Sequence, residues 1–214
     1  MNPGYSENIE VLRSRLLQKD YYPATTLVTN FLRRWGYVAA TELFREAEGN
    51  ELAPGVWQAA IASLRHTPEE AIVLDALEGP DNCHLMSVEV GCNPGQPGPA
   101  FSYTVGLWHN FSHPELICIG LGASAASSLL GFYVKRIASG KAPQTDLPLQ
   151  DIEGYAIQFK TCRPEAKTQY LYWATWFNST PDYPVMQLVW QDKNSRWPWD
   201  DDFHPPAAQP LLLS

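Results

Sequence analysis

The sequence has 214 residues, of which 45% are hydrophobic, so the chain can bury a core as one domain or as a domain with a small appendage. Its formal net charge of -8 at pH 7 argues against binding to a nucleic-acid backbone, since that binding depends on clustered Lys and Arg. The same charge suits a protein that binds another protein, and a basic one in particular.

The cysteines and the N-terminus both indicate a cytoplasmic protein. Cys83, Cys92, Cys118 and Cys162 contain no C-x-x-C pair, so the sequence predicts neither a zinc ribbon nor a redox motif. Free thiols are typical of a reducing compartment. Met1–Glu7 lacks a basic stretch followed by an apolar one, so we expect no secretory signal. We also expect no metal and no cofactor.

Residues 5 to 66 are helical in pattern, because apolar side chains recur at helical spacing in successive stripes. The stripes contain Ile9, Leu12, Leu16 and Leu17; Leu27, Val28, Phe31, Leu32 and Trp35; and Leu43, Phe44 and Ala47. Gly36 is predicted to end the second helix, with Tyr37 beginning a turn. A short helix is expected after Pro54-Gly55. We therefore predict an all-helical N-terminal region over residues 1–66.

Residues 22–48 carry a short pattern inside this region. Aliphatic residues precede the pair Phe31-Leu32, Gly36-Tyr37 follows, and alanines and Phe44 occupy a second helix. The pattern resembles the Lis-homology (LisH) dimerisation motif. The resemblance implies a homodimer formed through residues 22–48. The alternative is a helical hairpin that packs on its own domain.

After residue 66 the periodicity changes from helical to alternating. Thr67, Pro68 and Glu70 form a capping-box start for a helix that runs to about Glu78 and ends at Gly79-Pro80. Alternation from His84 to Val90 predicts a strand. The Pro- and Gly-rich residues 93–99 predict a loop that leads into the hairpin partner of this strand.

The stretch Phe101–Leu121 is predicted to form two buried strands, at 101–107 and 116–121, joined by a polar loop. The loop, Trp108–Pro114, carries His109 and His113. Leu116 to Val134 is uncharged over about the length of a membrane span. Its glycines and serines favour a strand followed by an amphipathic helix instead, so we expect no membrane segment.

The rest of the chain alternates helices with strands. We predict a helix at Ser124–Ala138, a strand at Tyr155–Cys162, a helix from Pro164, a strand at Val185–Trp190 and a surface arm over residues 191–214. The predicted fold class is α+β, a mixed and mainly antiparallel sheet of about five strands with packed helices, preceded by the helical region.

Several short motifs in this second part of the chain resemble those of one family. They are Tyr103-Thr-Val-Gly-Leu107, Phe111-Ser-His-Pro-Glu-Leu116, Gly120-Leu121, Val185–Trp190 with Asp192, Pro198-Trp199 and Gln209–Leu212. They resemble the bacterial family called domain of unknown function 4262 over about residues 83–214. The resemblance implies an α+β domain over residues 67–214 and no agreed activity. Gln191 and Ser195 depart from the family pattern, which has a Trp-Pro-Asp run and then glycine.

His113 and Glu115 are the candidate catalytic pair, because histidine titrates near neutrality and a neighbouring carboxylate can orient it. The alternative is a structural histidine bonded to Glu115 or to the backbone.

His109 precedes His113 by four residues, a spacing that binds metals on a helix, but Pro114 argues against a helix there. Tyr103 is a candidate binding residue, or else a core residue with a satisfied hydroxyl.

One glycine-containing segment has two interpretations, a nucleotide-binding site or a packing contact. Gly120-Leu-Gly122-Ala-Ser-Ala125 follows a strand and opens a helix, as a dinucleotide fingerprint does, but no acidic residue follows at the required distance. Close packing of helix and sheet also explains these glycines.

The C-terminal arm carries a second group of candidate binding residues: Asp192, Arg196, Trp199 and Asp200. They form either a salt-bridged clamp that closes the arm or an Arg–aromatic surface for a partner.

The sequence therefore predicts a cytoplasmic bacterial interaction protein, such as an immunity or adaptor protein that binds another protein. The alternative is a small enzyme that uses His113 and Glu115 in a cleft covered by the C-terminal arm. A large exposed aromatic and acidic surface would favour the first function, and a deep polar pocket the second.

Overall fold

Helices form the N-terminal part of the chain, and a mixed sheet with further helices forms the rest. The computed structural model describes residues 4–89, 98–152, 155–205 and 208–213, so Val90, Cys92 and most of the predicted loop at 93–99 lie outside the described residues. The helices are α1 Tyr5–Leu17, α2 Tyr21–Trp35, α3 Tyr37–Glu46, α4 Gly49–Leu52, α5 Pro54–Ala62, α6 Pro68–Glu78, α7 Leu107–Phe111, α8 Ala123–Ala138, α9 Glu165–Tyr170 and α10 Tyr172–Asn178. The strands are β1 His84–Val88, β2 Phe101–Val105, β3 Glu115–Ile119, β4 Leu149–Ile152, β5 Tyr155–Thr161 and β6 Val185–Trp190.

The chain divides into two compact units. The first contains Met1–Leu74 and Trp176–Thr180, and the second contains Asp75–Thr175 and Pro181–Ser214. The division between the units therefore falls within α6. A short segment from late in the sequence belongs to the helical unit.

The first unit is built on the amphipathic helix α2, which buries Val28, Phe31 and Leu32. Gly36 ends α2 as predicted, with a φ of 93° that L side chains rarely adopt. The prediction that Tyr37 begins a turn is wrong, because α3 begins at Tyr37. One residue with a left-handed backbone changes the direction of the chain, so no longer turn is needed.

The sheet of the second unit confirms the predicted mixed, mainly antiparallel arrangement. Among the described residues its strand order is β1-β2-β3-β6-β5-β4. The pair β3–β6 is parallel, and the other neighbours are antiparallel. The strand β4 was not predicted individually, because it follows the proline-containing residues 140–148 and is only 4 residues long.

The core of the second unit lies between α8 and one face of the sheet. All the residues of α8 predicted to face inward are buried: Ala126, Leu129, Leu130, Val134 and Ile137. They pack against alternate residues of the central strands, namely Leu116, Cys118, Phe159, Met186, Leu188 and Trp190. The intervening residues of β3, β5 and β6 therefore point to the opposite face.

Two predicted elements differ from the structure. The polar loop at 108–114 contains the short helix α7, and the helix predicted from Pro164 is broken into α9 and α10. The break falls at Leu171, whose φ of -106° and ψ of 48° are not helical. No glycine or proline marks that position.

The uncharged stretch Leu116–Val134 divides into β3 and α8, as predicted. No helix among the described residues is long and apolar enough to cross a membrane.

Candidate functional site

Glu115 is the most deeply buried charged residue of the predicted site, with 0% of its surface exposed. Its Oε2 accepts a hydrogen bond from the Thr104 hydroxyl at 2.6 Å. Its Oε1 accepts the N–H groups of Gly106 at 2.9 Å and Trp108 at 3.2 Å. Both carboxylate oxygens are therefore engaged by β2 and by the start of α7.

This arrangement replaces a missing helix cap. Gly106 is the residue before α7 and has no side chain to cap the helix, so the Glu115 carboxylate accepts the N–H groups at this end. Burial raises the pKa of Glu115 from its ordinary value of 4.5 to about 7, and the hydrogen bonds from Thr104 and the backbone limit that rise. The sequence did not predict this role because it gave no sign of α7.

His113 is 9% exposed and lies just after α7. Its Nδ1 lies 2.8 Å from the Pro114 carbonyl oxygen, to which it donates a hydrogen bond. Burial lowers the pKa of His113, so the neutral imidazole is favoured. No hydrogen bond among the described residues joins His113 to Glu115. This geometry matches the alternative of a structural histidine bonded to the backbone, while the catalytic role stays a prediction.

His109 lies on the exposed side of α7, and partial burial lowers its pKa as well. The argument that Pro114 prevents a helix here is wrong for residues 107–111, because α7 ends before that proline. His113 nevertheless lies beyond the helix end. Among the described residues, no group of three or more His, Cys, Asp or Glu side chains could hold a metal ion.

Tyr103 lies in the middle of β2 and is 2% exposed. Its hydroxyl accepts the Trp173 N–H at 3.4 Å, and its ring stacks on Phe101 with centroids 6.1 Å apart. Burial raises the pKa of this phenol, so Tyr103 stays protonated at neutral pH. A partner cannot reach a buried ring in this conformation, and the contacts are those of a core residue with a satisfied hydroxyl.

Asp192 organises the start of the C-terminal arm. It is 1% exposed, and its Oδ1 accepts the N–H groups of Asn194 at 2.8 Å and Arg196 at 3.0 Å. Its Oδ2 accepts the His204 N–H at 2.8 Å. Burial raises the pKa of Asp192. The backbone hydrogen bonds together lower the pKa by more than burial raises it, so the net shift is downward. Asp192 therefore closes a loop with backbone bonds.

Arg196 was predicted to form a salt-bridged clamp with its flanking acids, but it pairs with a different residue. The Arg196 guanidinium pairs with Asp202 at 3.0 Å, and both side chains are exposed. Asp200 instead accepts the Trp197 N–H at 2.8 Å. The carboxylates of Asp192 and Asp200 accept backbone N–H groups instead.

The arm is held on the opposite face of the sheet by two glutamine side chains. Gln187 of β6 donates to the Pro210 carbonyl at 2.9 Å and accepts the Leu212 N–H at 2.8 Å. Gln209 accepts the Trp190 N–H and donates to its carbonyl oxygen. These bonds satisfy buried polar groups, so we expect the arm to contribute to stability.

Gly120 is explained by the arm. Its φ is 91°, and a Cβ there would lie 2.5 Å from the carbonyl oxygen of Ala208. The glycine therefore permits close approach of the arm, whereas the predicted alternative was close packing of helix against sheet. Gly122 has open space around it.

Aromatic and acidic side chains share one surface of the arm, which we call the Trp–Asp surface: Trp197, Trp199 and residues 200–202. The two indoles stack with centroids 5.2 Å apart and planes 11° apart. Trp199 is 44% exposed, and the Lys160 ammonium of β5 lies 5.0 Å from its ring centroid. Lys160 also binds Asp146 at 2.7 Å, beside a cleft of about 280 Å³.

The sequence singled out Trp199 and Asp200 but missed Trp197 and Lys160 as members of this surface. The Trp-Pro-Trp spacing before three aspartates was the available signal for Trp197. Lys160 lies far away in the sequence and is brought close by the pairing of β5 with β6, which no local pattern reveals.

Comparison with known proteins identifies one family. Residues 81–204 match the family model described as Domain of unknown function (DUF4262). No curated protein matches the chain, and no solved structure matches it.

Proposed function

The chain belongs to the DUF4262 family, whose description states no activity, and we propose from the geometry of its own residues that it is a protein-binding protein. The proposed binding site is the Trp–Asp surface, and the proposed ligand is a basic segment of a partner protein. The observation that carries the proposal is the half-exposed, stacked Trp199 ring beside a run of carboxylates.

A Lys or Arg side chain is the chemistry that this surface accommodates. The Lys160 ammonium lies 5.0 Å from the Trp199 centroid, so this ring already makes one cation–π contact within the protein. A Lys or Arg of the partner would bind at the part of the ring that stays exposed, which is 44% of the residue's surface. The exposed Asp201 adds negative charge next to the indoles, and the exposed Asp202 pairs with Arg196. Aromatic residues are enriched in the energetically dominant part of protein interfaces, and flanking charges select the partner.

The charge of the whole chain supports the same proposal. A formal net charge of -8 would speed the encounter with a basic partner and slow the encounter with an acidic one. In its finer form, the proposal is that the protein acts in the bacterial cytoplasm as an immunity or adaptor protein that neutralises or recruits this partner.

The enzyme alternative rests on one observation, the pKa of Glu115 near 7, which is suited to proton transfer. Two observations weigh against it. The Glu115 carboxylate is fully buried and engaged by the start of α7, and the His113 ring bonds to a backbone carbonyl. A catalytic pair would require this region to open before a substrate could reach it.

The experiment is a pull-down from the native host with mass spectrometry, using three baits. We expect the wild type to retain a stoichiometric basic partner and the double variant Trp199→Ala/Asp201→Lys to lose it. The control is Tyr172→Ala, which removes another exposed aromatic ring, 67% exposed, from the same unit and should retain the partner. Equal capture by the wild type and the double variant would contradict the proposed site.

A further inference from the structure

The Trp199 ring is already in contact with a cation of its own chain. The Lys160 ammonium lies 5.0 Å from the Trp199 ring centroid. The Trp197 indole stacks on the same ring with centroids 5.2 Å apart, and Trp199 remains 44% exposed. A cation from a partner therefore meets a ring that already binds one. Two ammonium or guanidinium groups on one ring repel each other, so the partner and Lys160 compete.

Lys160 is held by an ion pair that is open to solvent. Its ammonium donates a hydrogen bond to the Asp146 carboxylate at 2.7 Å. The Asp146 side chain is 65% exposed and that of Lys160 is 23% exposed, so water and salt screen the pair. The flexible four-carbon stem of a lysine lets the ammonium move while β5 stays in place.

A cleft beside Lys160 provides room for that movement. The cleft has a volume of about 280 Å³ and is lined by Asp146, Lys160, Thr161 and Leu213. Because Asp146 forms part of the wall, an ammonium that turns into the cleft keeps its carboxylate partner while it leaves the ring. The exposed Thr161 hydroxyl adds a second acceptor in the same wall.

We infer that Lys160 is an intramolecular competitor for the cation site on Trp199, and that an Arg or Lys of the partner displaces it into the cleft. The inference rests on the proposed function, because it concerns the regulation of the same surface. Lys160 is tethered to the strand beside the ring, so its effective concentration there is high. The contact lowers the affinity for every incoming cation by the same factor. A segment that makes several contacts still binds, whereas a lone surface lysine of another protein does not.

Removal of the competitor should increase the affinity for a basic peptide. The probe is a fluorescein-labelled peptide with two arginines among glycines and serines, because a guanidinium stacks on an indole and is weakly hydrated. We expect Lys160→Thr, which keeps a residue suited to a strand, to lower the Kd. The expected decrease, measured by fluorescence anisotropy on the full-length chain, is about threefold or more. The same peptide with glutamine in place of arginine gives the background.

Three further variants separate the ring from charge alone. Lys160→Arg keeps the charge but should raise the Kd, because a guanidinium competes for the indole better than an ammonium. Lys141→Thr makes the same charge change as Lys160→Thr at an exposed position of the same unit, and it should alter the Kd less. The released Asp146 carboxylate could itself attract the peptide. Lys160→Thr is therefore repeated with Trp199→Ala, where the gain should vanish because no ring is left to vacate.

The outcomes distinguish this inference from the proposed function. Peptide binding that depends on Trp199 but is not strengthened by Lys160→Thr, nor weakened by Lys160→Arg, would overturn the inference and leave the binding site standing. A gain that persists without Trp199 would assign the effect to Asp146 and would also overturn it. If neither the wild type nor Lys160→Thr bound the arginine peptide more tightly than the glutamine peptide, both the inference and the proposed function would be wrong.

Discussion

At the scale of single residues, Glu115 has two opposing effects on stability. Burial disfavours its charged form, while the Thr104 hydroxyl and the N–H groups of α7 favour it. The first effect is larger, so the folded protein holds this proton more tightly than the unfolded chain does. Between pH 4.5 and about 7 the free energy of unfolding should therefore fall as the pH rises.

We predict that Glu115→Gln flattens this dependence. The loss in the wild type can reach about 3 kcal/mol, and a neutral amide has no proton to release in this range. His109 and His113 have lowered pKa values, so they destabilise the fold as the pH falls, but they do so in both proteins. Urea unfolding at several pH values gives the difference.

The matched control for this prediction is Glu165→Gln, which removes an exposed carboxylate in the first turn of α9 and should follow the wild-type curve. If Glu115→Gln and the wild type lost stability in parallel between pH 4.5 and 7, the proposed ionisation of Glu115 would be wrong.

Ser195 is a second residue whose backbone decides its effect. It has a φ of 60°, a left-handed conformation that glycine adopts at little cost. We predict that Ser195→Gly stabilises the protein by about 0.5 to 1 kcal/mol in chemical unfolding. Ser139→Gly, at a φ of -87°, should destabilise it, so a loss of stability in both variants would refute the strain argument.

The identity of single residues was easier to predict than their partners. The sequence placed His113 and Glu115 beside the start of the second central strand, and in the structure His113 precedes β3 and Glu115 is its first residue. It left open whether His113 bonds to Glu115 or to the backbone, and it named no partner for Glu115 other than His113. Their actual partners are a neighbouring carbonyl and the N–H groups of a helix of 5 residues. A helix that short contains too few residues to show a periodicity, so no sequence pattern indicated those donors.

At the scale of elements, the junction between α2 and α3 depends on Gly36. A Cβ at this position would collide with the carbonyl oxygen of Trp176, and its φ of 93° disfavours any L side chain. We predict that Gly36→Ala lowers the free energy of unfolding by at least about 2 kcal/mol, measured by thermal or urea denaturation.

Gly55 provides the control for that prediction. It lies inside α5 with open space around its Cα, so Gly55→Ala should stabilise the protein by about 0.5 to 1 kcal/mol through helix propensity. Similar melting temperatures for the two alanine variants would show that the junction tolerates a side chain.

Long elements with a clear apolar period were predicted well, and interrupted ones were not. The strand β6 and the helices α6 and α8 lie within a residue or so of their predicted positions, because one face of each is buried. The break at Leu171 and the parallel pairing of β3 with β6 depend on contacts between distant segments. Such contacts leave no mark in the local sequence.

At the scale of the whole molecule, the helical unit requires a segment from the family domain. Residues 176–180 lie within the match to the family, at 81–204, yet they belong to the first unit. Within that unit the Phe177 ring stacks on Tyr37 at 4.9 Å with planes 7° apart, and the Ser179 hydroxyl accepts the Ala39 N–H at 2.9 Å. We therefore expect a fragment that ends before residue 176 to lack part of its own core.

Hydrogen exchange in the full-length chain tests this dependence without cutting the chain. Phe177 is fully buried, so Phe177→Ala should cost about 3 to 5 kcal/mol. We predict that exchange rises first in α2 and α3 and later in β3 and β6, because the lost contacts belong to the helical unit. The matched control is Phe159→Ala, equally buried in the cluster beneath α8, which should give the reverse order. If exchange in Phe177→Ala rose first in β3 and β6, the prediction would be wrong, because residues 176–180 would then stabilise the sheet more than the helices.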